Sequence, residues 1–127
     1  RELIKDAEGY IKNASNNLEN LYDLTEEFPD LFHAGFVENA AQEYVEATCL
    51  YNIIRGKDLP DPDKLQTTYS SYLMGLCDVV GALRRGALDF ILEGATTKAN
   101  DYLNYMDKIY HAIMSLDYPS GLIPIKR

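Results

Sequence analysis

The run Gln42-Glu43-Tyr44-Val45-Glu46-Ala47 places two carboxylates one helical turn apart among mostly apolar neighbours. At 100° per residue over a helix from Ala34 to Gly56, Phe36, Ala40, Ala47, Leu50 and Ile54 fall within roughly 60° of Glu43. Glu46 stands at the edge of that face, beside Asn39 and Ile53, and the opposite side carries Thr48, Asn52 and Arg55. A carboxylate inside an apolar stripe needs a cation, a metal ion or a proton to offset the cost of leaving water.

Asp78 is the third acid of interest. It lies opposite the main apolar face of its own predicted helix, on a stripe with Ser71, Gly75, Ala82, Arg85 and Asp89. Gly75 and Ala82 are small enough to admit another helix or a ligand. Periodicity leaves two readings open. Asp78 is a solvated surface acid, or its stripe faces Glu43 and Glu46 and three carboxylates converge. Converging carboxylates repel, and one would hold its proton unless a cation intervened. Mg²⁺ or Mn²⁺ suits oxygen donors. Such an ion polarises a phosphate oxygen and positions a water, the chemistry of phosphodiester hydrolysis. The glutamates have alternatives too: an internal salt bridge with Arg84 or Arg85, or a place at a subunit interface.

Arg84-Arg85 reads either as a solvated dibasic pair or, because Arg85 shares the Asp78 stripe, as a holder of phosphate beside a metal. Lys126 and Arg127 extend the basic inventory. His33 and His111 are isolated, and neither forms the Glu-x-x-His pattern of a di-iron bundle. There is no Ser-His-Asp or Cys-His constellation and no glycine-rich phosphate loop. The ten tyrosines mostly follow the helical stripes, as core or interface residues do.

The elements that position these residues are helices. Glu2 to Leu24 has an apolar stripe of Leu3, Ala7, Tyr10, Ile11, Ala14, Leu18 and Leu21. Thr25 to Phe32 is a broken connection around Pro29. The helix with Glu43 and Glu46 ends near Gly56, and Leu59 to Asp63 is a stiff loop whose Asp63 can cap the next helix. That long helix is predicted from Lys64 to Glu93, with Leu65, Tyr69, Tyr72, Leu76, Val80, Leu83, Ala87 and Phe90 inward and Gly94 as C-cap. Thr96 to Leu116 is the last, with Ala99, Tyr102, Leu103, Met106, Ile109, Tyr110 and Ile113 inward. Nothing reads as strand. The expectation is an all-α antiparallel helical bundle forming a single domain over residues 1–127.

Bulk properties set bounds. The formal charge of −8 argues mildly against nucleic acid, although basic side chains can gather in a cavity while the outer surface stays acidic. No apolar run is long enough for a bilayer, so no membrane partner is expected. Cys49 and Cys77 lack CxxC spacing and read as reduced thiols of a cytoplasmic protein. The chain opens at Arg1 without Met and stops at Arg127 where a new element begins, so segments are expected beyond both ends.

Two motifs together carry a resemblance. Gln42-Glu43-Tyr44-Val45-Glu46-Ala47 resembles the metal-site motif of the translin/Trax family, on its Trax (translin-associated factor X) side. Tyr72 to Arg85 resembles the family's second signature, Tyr-Leu-x-Gly-x-x-Asp-Leu-x-Gly-Glu-Leu-x-Arg. Phe32-His33 and Asp117-Tyr118-Pro119-Ser120-Gly121 match in order, so the likeness spans Phe32 to Arg127. The short link from Gly56 to Thr68 makes an archaeal Trax-like protein the nearest kind. The resemblance implies a seven-helix protomer, with a C-terminal helix beyond this chain, assembling into a closed homo-oligomeric shell or barrel. It implies RNA, and also single-stranded DNA, as partners. It implies a Mg²⁺- or Mn²⁺-dependent endoribonuclease acting on single-stranded RNA, with Glu43, Glu46 and Asp78 as metal ligands and catalytic residues. Arg84, Arg85, Lys126 and Arg127 are then the nucleic-acid contacts. Translin itself lacks the aspartate. One departure stands out: Ala82 occupies a position where the family has glutamate. The loss of that carboxylate leaves a second reading, a non-catalytic oligomer that binds RNA or single-stranded DNA as translin does.

Overall fold

The structure is a computed structural model that describes residues 2–30 and 35–115. It is all-α, with no strand among the described residues: α1 Glu2–Glu27, α2 Phe36–Ile54, α3 Pro62–Leu65, α4 Tyr69–Glu93 and α5 Thr96–Ser115. The chain divides into two compact units, Arg1–Gly75 and Leu76–Arg127, with α4 running through the boundary. No described helix is long and apolar enough to cross a membrane.

Local chemistry sets the helix ends. α1 runs one turn beyond the expected Leu24, because Thr25-Glu26-Glu27 holds no breaker; Phe28 N still donates to Leu24 O at 2.7 Å. Pro29 then disfavours helical backbone at the residue before it. α2 closes as expected at Gly56, whose φ of 69° lets Gly56 N reach Ile53 O (3.0 Å) and Lys57 N reach Asn52 O (2.8 Å). This is a Schellman ending. Gly94 ends α4 in the same way.

The single helix expected from Lys64 to Glu93 is in fact two. Gln66 takes a left-handed conformation, φ 56°, and stops α3 after one turn. Asp61, rather than Asp63, caps α3: its Oδ1 accepts from Lys64 N at 2.8 Å, with Pro62 in the first helical position, where no N–H is needed. Thr68 Oγ1 then accepts from Ser71 N at 3.1 Å and starts α4 afresh.

In the first unit α1 packs on α2 in antiparallel sense, with Glu8 near Arg55 and Leu21 near Ala40. The core is built from Val37, Ala41, Val45, Cys49 and Ile53 of α2, every fourth residue, with Leu18, Leu65, Tyr72 and Leu73. Tyr72 is tied down by its hydroxyl, which donates to Pro60 O at 3.0 Å. The start of α4 crosses α2 very closely. Ser71 Oγ donates to Glu38 O at 3.4 Å, and a Cβ on Gly75 would lie 2.6 Å from Val45 Cγ1 and 2.9 Å from Gln42 O. In the second unit α4 and α5 form a hairpin. Tyr102 lies on Gly86 and meets Phe90 edge-on at 5.0 Å, above buried Leu83, Ala87, Ala99 and Ile109. Leu103 and Tyr110, expected inward, are 46% and 57% exposed, because the contact line of α5 runs through Ala99, Tyr102 and Ile109 instead.

This packing has two measurable consequences. Gly75→Ala should destabilise the protein by up to about 2 kcal/mol, an overpacking cost of roughly 1–3 less a helix-propensity gain of about 1. Urea unfolding measures it, and adding Val45→Ala should recover part of the loss if the clash is with that side chain. The second concerns alkali. Burial pushes the Cys49 thiol up from 9.0 to about 12. Its contribution is fully present below pH 9, where both states hold the proton, and falls as pH rises toward 12, because only the unfolded thiol ionises. The expected slope approaches about 1.4 kcal/mol per pH unit per thiol. A stability that stays flat from pH 9 to 11 would place Cys49 outside the core.

Candidate carboxylate site

Glu43 and Glu46 sit one turn apart on α2, and Asp78 sits on α4. The face that α2 buries is the Val37–Ile53 series, so the stripe around Glu43 is turned outward. Phe36 is 46% exposed, Ile54 67%, and Ala47 and Glu43 are exposed as well. The expectation that Glu43 stands in a buried apolar stripe is therefore corrected. α2 is apolar on two sides, and the side free of charge goes inward because that leaves the Glu43 carboxylate in water. No compensating cation is demanded by burial at Glu43.

Glu46 differs. It is half-buried, adjoining the side of α2 that carries Gln42 and Val45, the two residues on which Gly75 sits. Both Gln42 and Glu46 are engaged in interactions of their own, as is Asp78. Asp78 is also half-buried, one turn beyond Gly75 along α4, so it is not the fully solvated acid of the plainer reading. Its charge, after burial, helps to raise the Cys77 thiol beside it. Ala82, half-buried, and Arg85, exposed, come one and two turns later on the same side of α4. Arg84 is exposed too. His33, Lys126 and Arg127, and the turn at Asp117–Gly121, lie outside the described residues.

Among the described residues no group of three or more His, Cys, Asp or Glu side chains lies close enough to hold a metal ion. Glu43, Glu46 and Asp78 are each oxygen donors of the kind a hard divalent ion takes, but the structure does not gather them into such a group.

A polar wall of the α1–α2 pair lies outside every sequence motif above. Arg55 Nη1 stands 3.8 Å from Glu8 Oε1 and donates to Tyr51 Oη at 2.9 Å. Burial, followed by the nearby Glu38 and Tyr44, raises the Tyr22 phenol. The sequence signal for the first was available, since Arg55 and Tyr51 are one turn apart; the partner on α1 was not.

No family model matches the chain, and no solved structure matches it. An uncharacterized protein of Methanocaldococcus jannaschii is similar, 32% identical over 92 residues. That match takes in 72% of this chain and 40% of the relative, so the chain spans well under half the length of the curated relative it matches.

Proposed function

We propose that this protein is a Mg²⁺- or Mn²⁺-dependent endoribonuclease acting on single-stranded RNA, with Glu43, Glu46 and Asp78 as its metal ligands. The observation that carries the reading is the seat of Gly75. The missing side chain lets α4 rest on Val45 and Gln42 O, inside the Gln42–Glu46 turn that bears both glutamates. Asp78 is the next acid along α4, half-buried and three residues on. The two motifs that resemble the translin/Trax family are joined at that same contact.

The glutamates belong to one compact unit and the aspartate to the other. The reading therefore includes their meeting around the ion, which relieves the repulsion that three carboxylates would otherwise suffer. When bound, the ion supplies a polarised phosphate oxygen and an activated water. The chain's own residues do the rest. Glu46 and Asp78, partly shielded from water, hold their charge toward the ion more strongly than surface acids would. Arg85, exposed on the Asp78 side of α4, steadies the phosphate by a forked contact. The homo-oligomer, the RNA partner and the cytoplasmic setting are parts of the same proposal.

Glu46→Gln and Asp78→Asn should each abolish Mn²⁺-supported cleavage of a labelled single-stranded RNA while circular dichroism stays unchanged. Each should also cancel the rise in melting temperature that Mn²⁺ gives the wild type. Cleavage that survives both changes removes the site. Ala82→Glu, which restores a carboxylate one turn beyond Asp78, should increase the cleavage rate; no increase would place position 82 outside the centre. Retention of RNA without cutting at any Mn²⁺ concentration would favour the binding oligomer instead.

A further inference from the structure

One side of the α1–α2 pair is lined by apolar side chains. A groove of about 310 Å³ lies between the helices there, walled by Ala14, Leu18 and Leu21 on α1 and Ala40, Glu43 and Ala47 on α2. Helical register puts Tyr10 and Leu24 on the groove side of α1 and Phe36 and Ile54 on that of α2. All four are exposed, Tyr10 by 73% and Ile54 by 67%. The alanines keep the groove open for side chains arriving from outside, as ridges enter grooves between helices. From Tyr10 to Leu24 the face is about 21 Å long, nearly four helical turns.

The charge says what covers it. α1 and α2 hold ten of the chain's twenty acidic residues but two of its twelve basic ones. That excess of eight negative charges equals the net charge of the whole chain, so everything outside these helices is balanced. An apolar strip of this length on a strongly acidic helix pair attracts cationic side chains. We propose that the groove is a docking surface for a basic amphipathic helix of a partner protein, with its apolar residues at helical spacing in the groove and its lysines or arginines over the acidic flanks. This does not rest on the nuclease reading. Glu43 is common to both, so the test leaves the three proposed metal ligands unchanged.

The probe is a fluorescein-labelled 18-residue helical peptide with leucines along one face and lysines on the flanks, compared with the same peptide carrying glutamates for lysines. Fluorescence anisotropy should show saturable binding of the lysine peptide, at least 30-fold tighter than the glutamate peptide. Ala47→Arg, a change at an exposed groove wall, should weaken it at least tenfold. Asn104→Arg on α5, which adds the same charge elsewhere, should change it less than twofold. Equal losses from the two arginines would reduce the effect to bulk charge and overturn the groove. Absence of binding would overturn it as well. A dimer in light scattering that Ala47→Arg dissolves would assign the groove to a second copy and also overturn it.

Discussion

The structure depends on a place where there is no side chain. At Gly75 the backbone of α4 comes so near Val45 and the Gln42 carbonyl that one methyl group would overlap both. Close packing of this kind is intolerant of volume, because interiors are as dense as organic crystals. It fixes the register of α4 on α2 within the first unit. Leu76, Asp78, Ala82 and Arg85 follow in turn along the same helix.

A second constraint is the choice of face on α2. Val37, Ala41, Val45, Cys49 and Ile53 form one apolar line; Phe36, Ala40, Ala47, Leu50 and Ile54 form another. A helix with two such lines can bury either. The first contains no ionisable group at neutral pH, and burial holds the Cys49 thiol protonated. The second is interrupted by Glu43, whose desolvation would cost more than the extra apolar area returns. The outcome leaves large apolar side chains in water on the same side as the carboxylate. It also separates Glu43, exposed, from Glu46, half-buried, although they are one turn apart.

Much of this was legible in the amino-acid sequence, and the failures have physical causes. Gly56 and Gly94 announced their helix ends, since both take positive φ in Schellman turns. The α-only class came from the 3.6-residue periodicity. The break at Gln66 was not legible, because a glutamine in left-handed backbone carries no compositional flag, and Thr67-Thr68 reads equally well as helix or cap. The orientation of α2 does not follow from periodicity, because both faces are apolar and only a comparison of their desolvation costs separates them. For the candidate site, the turn spacing of the glutamates was certain from position alone. The half-buried state of Asp78 was not, since nothing along its own helix specifies what stands opposite it.

The uneven distribution of charge has a further consequence for the first unit. Ten acids on two packed helices push against one another, and this self-repulsion opposes the apolar contact between α1 and α2. At about 0.15 M ionic strength the screening length is about 8 Å, shorter than the span of either helix. Dissolved electrolyte therefore acts as a silent cohesive agent for this pair, which grips more firmly in brine than in dilute buffer.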